Sequence, residues 1–147
     1  LVTRLIGGKT DVVMMLNGAL AGLVSITAEP LAPNPMLAIG IGSVGSIIMY
    51  FGTQWLNKLR LDDVVGAIPV HMFAGIWGTL VVPLSNAGTN FLTQLMGVVV
   101  VVIFAFTLSY IAFYILRQFI GLRISDEAER LGTDVVEIGV RAYAIRD

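Results

Sequence analysis

The chain has 147 residues, of which 56% are apolar and only 13% are charged, about half the charged share of an average soluble domain. Its net charge of −1 argues against a protein that binds nucleic acid, and the absence of cysteine removes disulfides, thiolate metal sites and cysteine nucleophiles. Segment 64–116 contains no Asp, Glu, Lys or Arg. These features exclude an ordinary soluble domain and predict a membrane protein.

Four apolar runs follow one another along the chain, each close to the roughly 20 residues that a helix needs to cross a bilayer. They cover residues 12–28, 36–56, 64–84 and 91–116, and proline-rich or polar segments separate them. We expect Asn17 in the first run to hydrogen-bond between helices, and Glu29 after it to be a solvated loop charge. The sequence therefore predicts an all-α, polytopic transmembrane helix bundle over residues 1–120, followed by a short tail at 121–147.

The cations indicate the orientation of this bundle, because short cytoplasmic loops collect Lys and Arg. They lie before the first run, between the second and third, and after the fourth, at Arg4, Lys9, Lys58, Arg60, Arg117 and Arg123. The other two loops contain none. We therefore expect a multi-pass protein of the cell membrane, in contact with lipid, with both chain ends in the cytoplasm.

Asp62 and Asp63 stand directly before the third run. They could form an acidic cation site. Alternatively, an Asp just ahead of a helix accepts hydrogen bonds from free backbone N–H groups and interacts favourably with the helix dipole. We favour the second interpretation and expect a helix cap at the cytoplasmic end of this run.

The only strongly polar ring in the third run is His71, roughly 10 Å from the cytoplasmic end of its helix. An ionisable residue at membrane depth indicates a functional role by default. Small residues lie at helical spacing around it, namely Ala67, Ala74, Gly75 and Gly78. Two interpretations follow: the imidazole hydrogen-bonds across a tight helix interface, or it lines a lumen. No Ser, Asp or Glu shares this face, so we do not expect an enzyme.

The tail carries the signals of one short helix. Ser125 is a suitable N-cap, and acidic residues follow it in the first turn, where the helix dipole favours negative charge. Gly132 is placed to end the helix. We therefore expect a helix between these two residues.

Three stretches, in order, resemble ammonium transporters of the Amt/Mep/Rh family. Residues 17–28 read NGALAGLVSITA and are similar to the family's NGxLAGLVxITA helix. Residues 62–79 resemble the DDxxGxxxVHxxxGxxGT segment, which carries the second of the family's two pore histidines. Residues 121–143 resemble the GLRVS…ExxGxDxxxxGxxAY tail. Together these stretches are spread over residues 17–143, most of the length of the chain.

The resemblance implies a fragment that contains the last four of eleven spans, in a homotrimer whose subunits each have a pore. His71 takes the position of the second pore histidine, and Ala67, Ala74 and Gly75 are then expected to line the pore. The first pore histidine and the outer ammonium site lie in earlier helices of the family. Neither a metal nor a cofactor is expected.

The implied function is transport of ammonium, which loses its proton so that ammonia passes the histidines. An ammonium sensor of the same fold and a structural membrane subunit are the alternatives. The resemblance also implies a cytoplasmic regulatory tail, with Gly132, Asp134, Gly139 and Tyr143 at its motif positions. A PII-type signal protein is the partner that the family suggests for this cytoplasmic face.

Overall fold

A computed structural model describes residues 2–30 and 34–142, and within these ranges the chain is helical and has no strand. The chain divides into two compact units, Leu1–Val102 and Ile103–Asp147. The helices are α1 (Val2–Gly7), α2 (Val12–Ile26), α3 (Pro35–Lys58), α4 (Ala74–Val81), α5 (Phe91–Phe119) and α6 (Asp126–Leu131). A π-helical segment, Ile68–Phe73, leads directly into α4, a 3₁₀ turn, Val82–Leu84, follows it, and a second π-helical segment, Asp134–Ile138, follows α6.

Side-chain caps determine where α2 and α3 begin. The carboxylate of Asp11 accepts a hydrogen bond of 3.0 Å from the backbone N–H of Met14. Asn34 accepts one of 2.9 Å from the N–H of Met36, and Pro35 occupies the first helical position, where its missing N–H costs nothing. Both starts lie within one residue of the predicted ones.

Helices α2, α3 and α4 pack closely because small residues lie where they cross. A side chain on Gly45 of α3 or on Gly78 of α4 would collide with Ser25 of α2. Around this crossing, the buried side chains of Ala21, Met49, Val70 and Ala74 form the apolar core. The packing therefore depends on the close approach of the backbones of neighbouring helices, as is common in membrane proteins.

Hydrogen bonds from side chains to backbone carbonyls reinforce this packing. The Ser25 hydroxyl donates to the carbonyl of Ala21 at 2.7 Å and lies 3.3 Å from that of Ala74 in α4. The Ser46 hydroxyl of α3 lies 2.6 Å from the Gly18 carbonyl of α2. The indole N–H of Trp77 donates to the Ile41 carbonyl at 3.0 Å. The contacts of Ser25 with Ala74, Ser46 with Gly18 and Trp77 with Ile41 each join two helices, and among the described residues no buried side-chain polar atom lacks a partner.

Two described helices are long and apolar enough to cross a membrane, Pro35–Lys58 with a mean hydropathy of 1.6 and Phe91–Phe119 with 2.6. They correspond to the second and fourth predicted spans. The first and third correspond to shorter apolar helices, Val12–Ile26 and Ile68–Leu84. The third starts later than expected, because residues 64–66 form a turn rather than helix. The four-span arrangement therefore stays a prediction.

The second unit contains the helix that the tail sequence predicts. Ser125 accepts a hydrogen bond of 3.2 Å from the N–H of Ala128, and α6 extends from Asp126 to Leu131. Gly132 follows with φ of 93°, a conformation that favours glycine. The predicted cap, helix and terminating glycine are all confirmed.

Candidate functional site around His71

The turn before the His71 helix is held on two sides. Within the turn, Asp63 uses both carboxylate oxygens, which accept hydrogen bonds of 2.9 Å from the N–H groups of Ala67 and Ile68. From α2, the side-chain amide of Asn17 donates to the Val65 carbonyl at 3.0 Å. Asp62 is exposed. The capping geometry is thus present at Asp63, and the partner of Asn17 is a turn carbonyl rather than another helix.

Gly66 makes this close approach feasible. Its φ of 74° lies in the left-handed region, where a side chain is strained. A Cβ at this position would also lie 2.6 Å from the Asn17 amide nitrogen. Glycine at position 66 therefore meets two requirements at the start of the helix: it adopts a left-handed backbone, and it leaves room for the side chain of Asn17.

His71 belongs to a wide helical turn rather than to a regular α-helix. Segment Ile68–Phe73 is π-helical, and the N–H of Ala74 is shared between the carbonyls of Pro69 and His71. Such π turns are rare and occur frequently at functional sites. The proline lies early in the segment, where the helix has no partner for a backbone donor in any case.

Because of the wide turn, the small residues predicted to lie beside His71 differ in their exposure to solvent. His71 and Ala67 are exposed, and Gly75 is half-buried. Ala74, in contrast, is completely buried in the core with Ala21, Met49 and Val70. The structure therefore places Ala67 and His71 on the outside and does not place Ala74 on the same surface. Gly78 is also buried, against Ser25.

Apolar contacts hold the same segment against α3. The side chains of Pro69 and Phe73, two residues before and after His71, lie over Gly52, where any side chain would meet the phenyl ring. The ring of Phe73 also contacts that of Trp55, with 5.9 Å between the ring centroids. The backbone of the segment that contains His71 is therefore held against α3.

Two loops meet at the opposite end of these helices. The side-chain amide of Asn86 donates to the Glu29 carboxylate at 3.1 Å, and Glu29 is half-buried. Glu29 is therefore a partly exposed loop charge, as expected, that also accepts a hydrogen bond from the second loop. The partners are 57 residues apart in sequence, so no local pattern could have revealed the contact.

A polar cleft of about 390 Å³ lies where the start of α2 meets the second half of α3. Its lining combines Lys9 and Asp11 with Tyr50 and Gln54, and includes Thr3, Gly7, Thr10 and Met14. Sequence patterns do not predict this cleft, because its two sides come from segments about 40 residues apart.

Within the tail, the side chain of Asp134 accepts a hydrogen bond from the backbone. The carboxylate of Asp134 accepts a hydrogen bond of 2.8 Å from the N–H of Ala142, and this bond holds the pKa of Asp134 below its ordinary value. Gly139 is left-handed, with φ of 77°, and a side chain on Gly132 would lie 2.5 Å from Asp134 Oδ1. The structure thus brings three of the four tail residues into one folded segment, whereas Tyr143 lies outside the described residues.

No group of three His, Cys, Asp or Glu side chains within residues 2–30 and 34–142 is arranged to hold a metal ion. The polar side chains around His71 are instead engaged with the backbone. The chemistry available at its surface is that of one imidazole, which can donate a hydrogen bond from one nitrogen and accept at the other.

Comparison with known proteins shows the family to which this chain belongs. The model of the Ammonium Transporter Family matches residues 1–143. The chain therefore belongs to the Ammonium Transporter Family.

Individual members are similar along most of the chain. Ammonium transporter Amt2 of Archaeoglobus fulgidus is 38% identical over 97% of this chain and 35% of its own length. A putative ammonium transporter of Synechocystis sp. is 38% identical over 89% of this chain and 30% of its own length. Ammonium transporter Amt1 of Haloferax mediterranei is 33% identical over 92% of this chain and 27% of its own length. The chain thus spans about a third of the length of the curated relatives that it matches.

Proposed function

We propose that this chain is the C-terminal membrane portion of an ammonium transporter, in which His71 lines a narrow path for ammonia. The exposed imidazole within an otherwise apolar, uncharged segment carries this proposal. Contact with lipid would leave both ring nitrogens without partners, which is costly in hydrocarbon. A path through the complete protein is the surface that such a side chain fits.

The packing behind His71 supports the same role. Pro69 and Phe73 hold the segment on α3, so the ring has a firm backbone without being buried itself. Ala67 is exposed beside it and Gly75 half-buried, and both belong to the proposed path. Ala74 supports the path from behind.

The proposed mechanism separates the proton from the transported molecule. An ammonium ion that enters a low-dielectric path loses its hydration, at a cost of several kcal/mol, whereas neutral ammonia does not carry this penalty. Ammonium therefore transfers its proton to solvent water near the outer mouth, and ammonia passes the imidazole. His71 can accept a hydrogen bond from ammonia or donate one to it, depending on its tautomer.

The proposal includes the assembly that the family resemblance implies. The complete protein is a homotrimer in the cell membrane with its C-terminus in the cytoplasm, and the tail is a regulatory segment that a PII-type signal protein reads. Helix α5 supports the membrane setting, because its mean hydropathy is 2.6 and none of its residues is buried. Such a surface suits contact with lipid or with other apolar helices.

Replacement of His71 in the complete transporter tests this function. We expect His71→Ala to abolish normal ammonium uptake, or to admit other cations, while trimers still form. Met72→Ala is the matched control, because Met72 is its sequence neighbour, is 42% exposed and has no titratable group. Unchanged uptake and selectivity in His71→Ala would contradict the proposal.

A transport assay also separates this function from that of a sensor. Purified protein in liposomes should show ammonium flux without any partner present. A protein that responds to ammonium through a cytoplasmic partner, and shows no flux in liposomes, would be a sensor instead.

A further inference from the structure

The side chain of Asn17 reaches from α2 to the turn that precedes the His71 segment. We propose that Asn17 is a positioning residue for His71, and this inference rests on the function proposed above. The bond to the Val65 carbonyl links positions 48 residues apart, and Asn17 is half-buried. It is therefore a tertiary contact rather than a local turn.

The contact acts at the point where the helix direction is set. Gly66 follows the bonded carbonyl, and its left-handed φ of 74° turns the chain into the helix. The carbonyl of Gly66 then accepts the hydrogen bond of 3.1 Å from Val70 that opens the helical ladder. A shift of the turn consequently changes the position and rotation of the first helical turn, which contains His71.

The other contacts of this turn do not replace Asn17. The Asp63 carboxylate bonds to Ala67 and Ile68, which follow it in the same segment, so turn and cap can move together. Pro69 and Phe73 pack on α3 through apolar surfaces, which permit small sliding movements. Only the Asn17 amide gives the turn a directional hydrogen bond to α2.

Asn17 itself lies on a part of α2 that is packed tightly against α3, which we call its anchor. Gly18, next to Asn17, accepts the hydrogen bond of 2.6 Å from Ser46 in α3. The backbones of Gly22 and Gly42 lie in contact a turn further along the same two helices. Asn17 thus connects the turn to the most closely packed pair of helices in the unit.

Positioning at this level matters for an imidazole that must meet a small molecule. Binding groups are effective only when they are held within about 0.5 Å of the productive geometry. At metal sites, loss of a hydrogen bond that orients a ligand typically lowers activity by roughly 10- to 100-fold, and we take this as the scale for an oriented imidazole. We expect an effect of this size on ammonium flux when the Asn17 amide is removed.

A double-mutant cycle in the complete transporter tests the inference. Asn17→Leu keeps the approximate volume and removes the donor. We expect it to reduce ammonium flux or shift its pH profile when His71 is present, and to have no further effect on the residual flux of His71→Ala. An equal reduction in both backgrounds, or wild-type flux and pH profile in Asn17→Leu, would overturn the positioning role.

Thr27→Val is the matched control for general loosening, because it removes another side-chain hydrogen bond of α2, to the Val24 carbonyl, at the end of the helix away from Asn17 and its anchor. It should lower stability and leave the pH profile unchanged. Wild-type flux in His71→Ala would contradict the proposed function and this inference with it. Reduced flux in His71→Ala, combined with additive effects, would contradict the Asn17 inference alone.

A second measurement applies if His71→Ala has no residual flux. The chain contains no cysteine, so His71→Cys introduces the only thiol of this segment, in a protein with cysteine-free remaining helices. Its rate of modification by a methanethiosulfonate reagent should change several-fold with Asn17→Leu and remain constant with Thr27→Val. Equal rates in all three proteins would overturn the inference.

Discussion

The carboxylate of Asp63 illustrates how much one side chain determines at the start of a helix. Both oxygens accept hydrogen bonds from backbone N–H groups that the helix itself leaves unpaired. Its neighbour Asp62 is exposed. The two acidic residues of the sequence motif therefore have different surroundings, although they are adjacent and chemically identical.

We expect Asp63→Ala to destabilise the protein by about 0.5–2 kcal/mol, the usual cost of a lost cap. Asp63→Asn should cost less, because its one oxygen can still accept one of the two bonds. Thermal unfolding of the purified protein in detergent measures both effects. Asp62→Ala is the control, and an equal loss of stability in this variant would contradict the assignment of the cap.

Asp134 provides a pH-dependent contact in the tail. Because the hydrogen bond from Ala142 lowers its pKa, the ionised form is favoured in the folded tail. The resulting stabilisation is complete above the ordinary carboxyl pKa and is lost as the pH falls through the lowered value. Protection of the Ala142 amide from hydrogen exchange should therefore decrease in acid. In Asp134→Asn this pH dependence should vanish, and its persistence there would assign the effect to another group.

At the scale of helices, close packing depends on the absence of side chains at particular positions. Gly45 and Gly40 both lie in α3, yet a Cβ at Gly45 would collide with Ser25, whereas nothing lies within 4 Å of a Cβ at Gly40. The two glycines are five residues apart in the sequence, and no local pattern distinguishes them. The structure distinguishes the residue that contacts a neighbouring helix from the one that does not.

Substitution by alanine should separate these two glycines. We expect Gly45→Ala to cost about 1–3 kcal/mol or more, since the overlap involves a helix that is held on both sides. Gly40→Ala should be neutral or stabilising by about 0.5–1 kcal/mol, because glycine is a poor helix former. Unfolding in a mixed detergent system compares the two variants, and similar stabilities would argue against the packing described at Ser25.

The apolar runs predicted the starts of α2 and α3 to within one residue, and the Ser125 cap, which acts within three residues of itself, predicted α6. The third helix was predicted to begin too early. Val64 and Val65 are apolar, and hydropathy does not distinguish an apolar turn from the first turn of a helix. The π-helical register was also missed, so spacing arguments placed Ala74 beside His71, although it is buried.

At the scale of the whole molecule, contacts within the first unit agree with the predicted arrangement of loops. Glu29 and Asn86, from the two cation-free loops, bond to each other. Asn17, near the start of α2, bonds to the loop that follows α3. Loops predicted for the same side of the membrane are therefore neighbours in the fold. The membrane topology itself remains a prediction, since charge alone indicates which side is which.

Cysteine labelling tests this topology directly. We expect Ala87→Cys in intact cells to react with a membrane-impermeant thiol reagent, and Leu61→Cys to react only after permeabilisation. Both positions are exposed, so a difference between them reports location rather than burial. The reverse pattern would place the C-terminus outside the cell and exclude a cytoplasmic tail.

The hydrogen bonds that join α2, α3, α4 and the turn before His71 share a property that affects which substitutions the protein tolerates. Their donors are side chains, whereas their acceptors are backbone carbonyls, as in Asn17 to Val65 and Trp77 to Ile41. A carbonyl survives almost any substitution of its own residue, and Val65 is moreover 68% exposed. The two ends of one bond therefore differ in mutational sensitivity, and a saturation scan should find position 65 permissive and position 17 restrictive.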